Sequence, residues 1–296
     1  MIPSSAHPCF NQVVHGTYAR MHLPVAPRCN ISCAYCNRKY SCVNESRPGV
    51  SAAILSPAQA VHEVGIAVSR LPKLSVIGIA GPGDPLANPE ETLETLRLVH
   101  REFPHLLLCL SCNGLALPEY AQELAALGVR HATVTVNAVD PVIGAQIYHF
   151  VEKRGAIRLR GEEGATLLLE RQEQGVRKLK SLGMSVKINM VVVPGVNDAH
   201  VQDVAKCVQG WGADLMNCIP MIPVAGTHFA DLQEPGPDRM RDLRQIAGRF
   251  LPQMRHCARC RADAVGLLGA RTTIRDLHGP EHAGNSTFPR CVSRSA

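Results

Sequence analysis

Apolar residues along this chain fall into short, almost unbroken runs separated by segments with a helical period. The runs are HLPVAP (22–27), LSVIGIA (74–80), HLLLCLS (105–111), HATVTVN (131–137), SVKINMVVV (185–193) and ADLMNCIP (213–220). They are rich in Val, Ile and Leu and nearly continuous, which predicts parallel strands covered on both faces. Between them, Ser56-Pro57 reads as an N-cap followed by proline at the first helical position. Ala60, Val61, Val64, Ala67, Val68 and Leu71 then make one apolar stripe. Asn88-Pro89 opens a second helix, with Glu90 and Glu91 near its positive end. Pro118 opens a third, which Gly128 ends; a fourth spans 165–182 and stops at Gly183. Segments 198–210 and 237–250 supply two more.

Six βα units result. Right-handed crossovers predict an α/β fold, either a partial barrel or a doubly wound sheet. Segment 138–165 reads as a long excursion between the fourth strand and its helix, and the tail after Leu268 as irregular.

Composition narrows the class. The 296 residues are 46% hydrophobic and 19% charged, as expected of a soluble globular chain with a sizeable core. Net charge is +6, with no Lys/Arg block that would make a nucleic-acid arm. Aromatics are 4%, too few to suggest base stacking. The start lacks a signal-peptide pattern and no apolar run is of membrane-spanning length, so a cytoplasmic location is expected, with neither nucleic acid nor membrane as partner. Twelve cysteines in such a chain point to metal or redox chemistry rather than disulfides.

The residues after each strand concentrate the unusual chemistry. The segments are RCNISCAYC, GPGDP, CNG, NAVDP, PGVND and PMIP, all at the C-terminal mouth of the predicted sheet. Turn chemistry explains the Gly, Pro, Asn and Asp. It leaves Cys29, Cys33 and Cys36, spaced C-x3-C-x2-C, unexplained. Zinc prefers four ligands in a closed site. Three thiolates in one loop suit a [4Fe–4S] cubane with one open iron.

This spacing, with aromatic Tyr35 before the last cysteine, resembles the radical S-adenosylmethionine superfamily. The resemblance implies a partial (βα)6 TIM-type barrel and S-adenosylmethionine chelating the open iron. It also implies that the glycine-rich turn after the second strand contacts the methionyl amino group. GPGDP occupies that place and departs from the commoner Gly-Gly-Glu form, so Gly81, Gly83 and Asp84 become candidate nucleotide contacts. Asn113 and Asn137 are candidates for ribose or carboxylate contacts, or else strand-end caps.

Further ligand-type residues remain: His7 and Cys9 in HPC, Cys42, Cys109 and Cys112, and Cys257 and Cys260 in CARC. Strand alternation puts residues 109, 111 and 113 on one face, so Cys109 points inward if Asn113 does, and Cys112 packs with Leu108 and Leu110 against helices. Cys207 reads as core, Cys218 is ambiguous and Cys291 lies in the tail.

The run from HPCF to NESRPGV, with GIAGPGDPLANPEETL, LCLSCNGLALP, TVTVNAVDP, VKINMVVVPGVND and CARCRADAVGLLG, resembles the NifB family of nitrogenase iron–molybdenum-cofactor maturases over roughly residues 6–269. That resemblance implies three iron–sulfur clusters, one cleaving S-adenosylmethionine and two serving as [4Fe–4S] substrates. A methyl group from one nucleotide is transferred to a substrate cluster. A deoxyadenosyl radical from a second abstracts hydrogen from it, and the carbon becomes a carbide as the clusters fuse. An added sulfur completes an eight-iron precursor.

His7, Cys9, Cys42, Cys109, Cys257 and Cys260 would hold the substrate clusters incompletely, His7 as a releasable ligand. Glu45 and Arg47 of NESRP match a family motif and are catalytic candidates for proton removal and charge compensation. His15 and His22 read as structural. Cys112 stands where the family motif carries threonine. The expected organisation is an N-terminal extension with ligands (1–21), a barrel (22–252), a C-terminal ligand segment (253–269) and an irregular tail (270–296). The chain stops soon after GLLG, where many bacterial relatives append a carrier-like domain, so the product is expected to leave for a separate carrier. Expected partners are iron–sulfur cluster donors, cofactor carrier or scaffold proteins of nitrogenase assembly, and a reductant such as ferredoxin or flavodoxin. Competing readings are another radical enzyme of the superfamily, acting on a peptide, RNA or metabolite with auxiliary clusters, and a non-enzymatic iron–sulfur scaffold.

Overall fold

The computed structural model describes residues 3–42, 53–152 and 157–278. Six parallel strands follow in chain order across the sheet: β1 (Ala19–His22), β3 (Leu74–Ile79), β4 (Leu107–Cys112), β5 (Val129–Thr135), β8 (Ser185–Val192) and β9 (Leu215–Pro220). A two-residue strand, β10 (Val265–Gly266), adds antiparallel to the outer edge of β1. The sheet is the half-barrel expected of six βα units. Its crossover helices are α1 (Pro57–Arg70), α2 (Pro89–Glu102), α3 (Leu117–Ala126), α5 (Gly161–Ser181) and α6 (Val201–Gly210), with α7 (Pro237–Ala247) following β9.

Alternation within each strand builds two different environments. On β4, Leu108, Leu110 and Cys112 join the core between sheet and helices. On β8, Val186, Ile188 and Met190 do the same. The opposite residues, Cys109, Ser111, Lys187 and Asn189 among them, line a cavity on the concave side. Helix α1 begins as predicted: Ser56 Oγ accepts from the Gln59 amide and Gln59 Oε1 accepts from the Ser56 amide. Such a cap contributes about 1 kcal/mol.

Three boundaries differ from expectation. The first strand runs over 19–22, not 22–27, because Pro24 and Pro27 carry no N–H and cannot sustain a ladder. Arg20 hid its start, a charged residue that faces inward. The excursion 138–165 is not a loop. Asp140 caps helix α4 (Pro141–Ile147), accepting from the Val142 amide at 2.8 Å. Strand β6 (Tyr148–Glu152) then pairs with both β2 (Ile31–Cys33) and β7 (Arg158–Leu159) in a second, three-stranded sheet. Residues 265–266, placed in the C-terminal ligand segment, belong to the main sheet. Among the described residues no helix is long and apolar enough to cross a membrane.

Candidate active site and metal centres

The cluster loop is built into the second sheet. Cys33 ends β2, and the Ala34 amide donates to Ile147 O at 2.7 Å while the Glu152 amide donates to Asn30 O at 2.8 Å. Cys33, Ala34 and Tyr35 are buried in a small second core with Leu115, Ile147, Tyr148 and Val191. Backbone hydrogen bonds and burial therefore clamp the loop at the mouth. Cys29, Cys33 and Cys36 line one pocket, together with Arg38, Cys42, Gly83 and Asp84. Cys42, expected among the substrate-cluster ligands, lies here, its amide donating to Pro82 O at 2.8 Å.

GPGDP folds back on this loop. The Gly83 amide donates to Ala26 O at 2.6 Å and the Asp84 amide to Arg28 O at 2.8 Å. A Cβ on Gly83 would stand 2.1 Å from Arg28 O, so only glycine permits the approach. The Asp84 carboxylate is buried and accepts from the Leu86 amide at 2.9 Å and the Asn113 amide at 2.6 Å. Burial pushes its pKa up to about 6, against the pull of those amides. It ties the second and third strand-end loops together.

The two asparagines are locally engaged. Asn113 Nδ2 donates to Asn30 Oδ1 at 2.7 Å, and its Oδ1 accepts from the Leu115 amide. Asn137 Nδ2 donates to the Tyr35 hydroxyl at 2.6 Å and its Oδ1 accepts from the Val191 amide. Both act as strand-end caps in this structure, each anchored beside the cluster loop.

The second cavity lies inside the half-barrel. His7, Cys9, Cys109, Cys257 and Cys260 all line it, although they come from the two ends of the described chain and from mid-sheet. Cys9 is positioned by the N-terminal segment, where its amide donates to His7 Nδ1 at 3.1 Å. The His7 ring packs against Phe10 and His131 with centroids 4.8 and 4.5 Å away. Cys260 receives the Arg20 guanidinium: Nε and Nη2 donate to its Sγ at 3.3 and 3.1 Å, while Nη1 donates to Gly266 O at 2.6 Å. Lys187 points into the same space, its Nζ 5.5 Å from the Phe10 ring centroid. His22 also lines it and is held by Arg261 O at 3.0 Å, as a structural histidine would be.

Electrostatics make both pockets demanding for bare thiols. Burial pushes the Cys29 thiol up to about 12, with Asp84 adding to the rise and Arg38 opposing it. Burial pushes Cys9 up to about 11, while Lys187 pulls it back. A bound metal reverses this by holding the thiolate directly.

The donors fit iron–sulfur clusters. Three thiolates of one loop line a single pocket. A cubane takes one such thiolate on each of three irons. The inner cavity also holds buried polar atoms that lack a hydrogen-bond partner: His7 Nε2, Ser111 Oγ and Asn217 Oδ1. Such atoms mark a space built for a polar guest.

Ser111, Arg20 and Lys187 went unnoticed in the sequence. Ser111 lines both pockets and so stands on the wall between them. A charged residue inside an apolar strand, as in YARMHLP and SVKINM, was the available signal for the other two. Cys112 and Cys218 belong to the core behind the sheet, Cys112 also reaching the edge of the first pocket. Cys207 packs against that core from helix α6. Glu45, Arg47 and Cys291 lie outside the described residues.

Comparison with known proteins agrees with this geometry. The FeMo cofactor biosynthesis protein NifB of Chlorobaculum tepidum is 51% identical over 263 residues, covering 89% of this chain and 62% of that protein. NifB of Azotobacter vinelandii is 48% identical over 267 residues, covering 89% and 53%. The chain thus spans somewhat over half the length of these relatives. Among solved structures, the FeFe-hydrogenase maturase HydG from Carboxydothermus hydrogenoformans superposes with a TM-score of 0.52 at 16% identity, covering 79% of this chain and 52% of that one. The radical S-adenosylmethionine methyltransferase TsrM from Kitasatospora setae gives 0.52 at 15% identity, covering 93% and 55%. At such identities the likeness is one of fold. The family model of the radical SAM superfamily matches residues 23–208, and the chain belongs to that superfamily.

Proposed function

We propose that this chain is a maturase of the nitrogenase cofactor, fusing two [4Fe–4S] clusters around a carbide derived from S-adenosylmethionine, with one added sulfur, to give an eight-iron precursor. The observation that carries the reading is the pair of adjoining pockets. One holds the three-cysteine loop; the other gathers His7, Cys9, Cys109, Cys257 and Cys260, and the two share Ser111. An enzyme that needed only a nucleotide-cleaving centre would have no use for the second donor set. The identity of about half to the NifB proteins, named for FeMo cofactor biosynthesis, supports the same reading.

Cys29, Cys33 and Cys36 would hold the first cluster, which when bound supplies the electron that cleaves S-adenosylmethionine. The chain's own residues set the stage for it. Gly83 lets the GPGDP backbone close on the loop, and Asp84 fixes that turn to the end of β4. Arg38 places a cation in the pocket. In the inner cavity Arg20 and Lys187 supply positive charge opposite an anionic substrate. His7 suits a ligand that must let go. Its Nδ1 faces the Cys9 amide, so binding iron through Nε2 requires moving the ring proton to Nδ1 and surrendering that contact. Cluster donors, a ferredoxin or flavodoxin and a receiving carrier complete the proposed system.

The test is anaerobic reconstitution with iron, sulfide, reductant and S-adenosylmethionine. Deoxyadenosine and S-adenosylhomocysteine should both form, and the extracted product should mature apo-nitrogenase when molybdenum and homocitrate are supplied. Cys33→Ala should abolish deoxyadenosine. The Cys257→Ala, Cys260→Ala double variant should retain part of it and yield no precursor. Fully loaded protein that cleaves the nucleotide but never matures apo-nitrogenase would sink the proposal.

A further inference from the structure

Cys260 has two faces. Inward it lines the barrel cavity with Cys9, Cys109 and Cys257; outward it lines a separate cleft on the side of the molecule, and Ala258 and Arg259 do the same. One stretch of chain, residues 258–260, thus lines both the cavity and the cleft. The cleft has a volume of about 380 Å³, within the range of small-molecule sites. Arg259, Arg261 and Arg271 line it, and among the described residues no Asp or Glu does. Arg261 is paired with Asp263 through Nε and Nη2 at 2.8 and 3.1 Å.

Three side-chain contacts among the described residues anchor this stretch. Arg259 Nη1 donates to Pro220 O at 2.8 Å, His22 meets Arg261 O at 3.0 Å, and Arg20 grips Cys260. Arg259 has φ of 49°, the one positive φ at a non-glycine among the described residues. The chain there is bent in a way side chains disfavour.

We propose that this cleft is the port through which anionic iron–sulfur clusters pass between the barrel cavity and solvent, its arginines binding the anion in transit. The inference rests on the reading of the cavity as a site for substrate clusters. The alternative path, through the mouth, crosses the pocket of Cys29, Cys33 and Cys36, where a bound nucleotide would stand in the way. A side port lets cargo enter and product leave without disturbing that centre, and its positive lining suits clusters whose thiolate and sulfide ligands make them anionic.

The test follows iron leaving the inner cavity of reconstituted protein. Two chelators are used, anionic bathophenanthroline disulfonate and neutral 1,10-phenanthroline. The first cluster is followed in the same samples through the response of its EPR signal to S-adenosylmethionine. Arg271→Glu should slow extraction by the anionic chelator at least about threefold and leave the neutral one little changed. Arg271→Gln should fall between. Ala270→Trp, at an exposed rim position, should slow both. Equal rates in wild type and all three variants, at wild-type melting temperature, would overturn the port. Failure to take up any iron beyond the first cluster would instead defeat the reading of the cavity, and this inference with it.

Discussion

Arg20 on β1 and Cys260 near β10 meet inside the half-barrel, 240 positions apart in sequence, with two guanidinium nitrogens donating to one sulfur at 3.3 and 3.1 Å. A third nitrogen holds Gly266 O. One buried side chain therefore fixes a candidate ligand and fastens the edge strand that follows it in the chain.

Arg20→Met should lose both functions. Three hydrogen bonds vanish, and the Gly266 carbonyl and the thiol are left wanting, a cost of about 2–4 kcal/mol. Arg20→Lys keeps the charge but not the fork and should recover less than half of that. Anaerobic urea denaturation of the cluster-free protein, with iron counting after reconstitution, checks both. Wild-type stability in Arg20→Met would show that the contact does not fasten β10.

Gly83→Ala should be among the most damaging single-methyl changes in the chain. The new carbon would lie 2.1 Å from the Arg28 carbonyl oxygen, which is backbone and cannot swing aside. A loss of about 3 kcal/mol is expected, together with loss of nucleotide cleavage, because the cluster loop must shift. Gly195→Ala is the control. Its φ is +73° but its surroundings are open, so about 1 kcal/mol of backbone strain is all it should show. Equal melting temperatures for the two variants would contradict the close-approach argument.

Asp84 makes a signed prediction about pH. Its folded pKa, about 6, lies above the unfolded value near 3.8, so the native state binds the proton more tightly. Between these values the native state carries more protons than the unfolded one, and stability falls as pH rises. The contribution is most favourable below about pH 4 and is lost by about pH 7, a change of roughly 3 kcal/mol. Buried His22, lowered to about 4 by burial, opposes the trend by destabilising the native state as pH falls. The useful quantity is therefore the difference between wild type and Asp84→Asn in cluster-free protein. That difference should move against the wild type as pH rises from 4 to 7; a flat difference refutes the assignment.

Ser111→Ala separates stability from chemistry. The hydroxyl is buried without a hydrogen-bond partner, so its removal should leave stability unchanged or raise it by up to about 1 kcal/mol. Its place between the two pockets predicts a different effect on turnover. Deoxyadenosine should still form, with less of it coupled to consumption of methylated cluster. Unchanged coupling, measured by product analysis under single turnover, would make Ser111 a bystander.

Much of this was legible from residue order. Buried parallel strands announce themselves as unbroken apolar runs, and five of the six lay within a few residues of their final bounds. The exception, β1, was masked by Arg20, whose inward direction makes sense only once a polar cavity exists. The strand alternation that put Cys109 inside and Cys112 outside held because period two leaves no freedom once one residue is oriented. The β2–β6 pairing was not legible. It joins Ile31–Cys33 to a strand far along the chain, and nothing local specifies a partner at that distance. Cys42 went to the first pocket for a similar reason: its amide pairs with Pro82, a tertiary contact that spacing cannot express.

The pairing of β10 with β1 sets an order of events during biosynthesis. Ribosomes deliver β1 early and Val265–Gly266 almost 250 residues later, and only then can CARC swing onto the barrel. The three-cysteine loop can fold while translation continues, but the inner cavity lacks part of its lining until Cys257 and Cys260 have been made. On the proposed reading of that cavity, a nascent chain would have no finished site in which to trap clusters before this edge is in place.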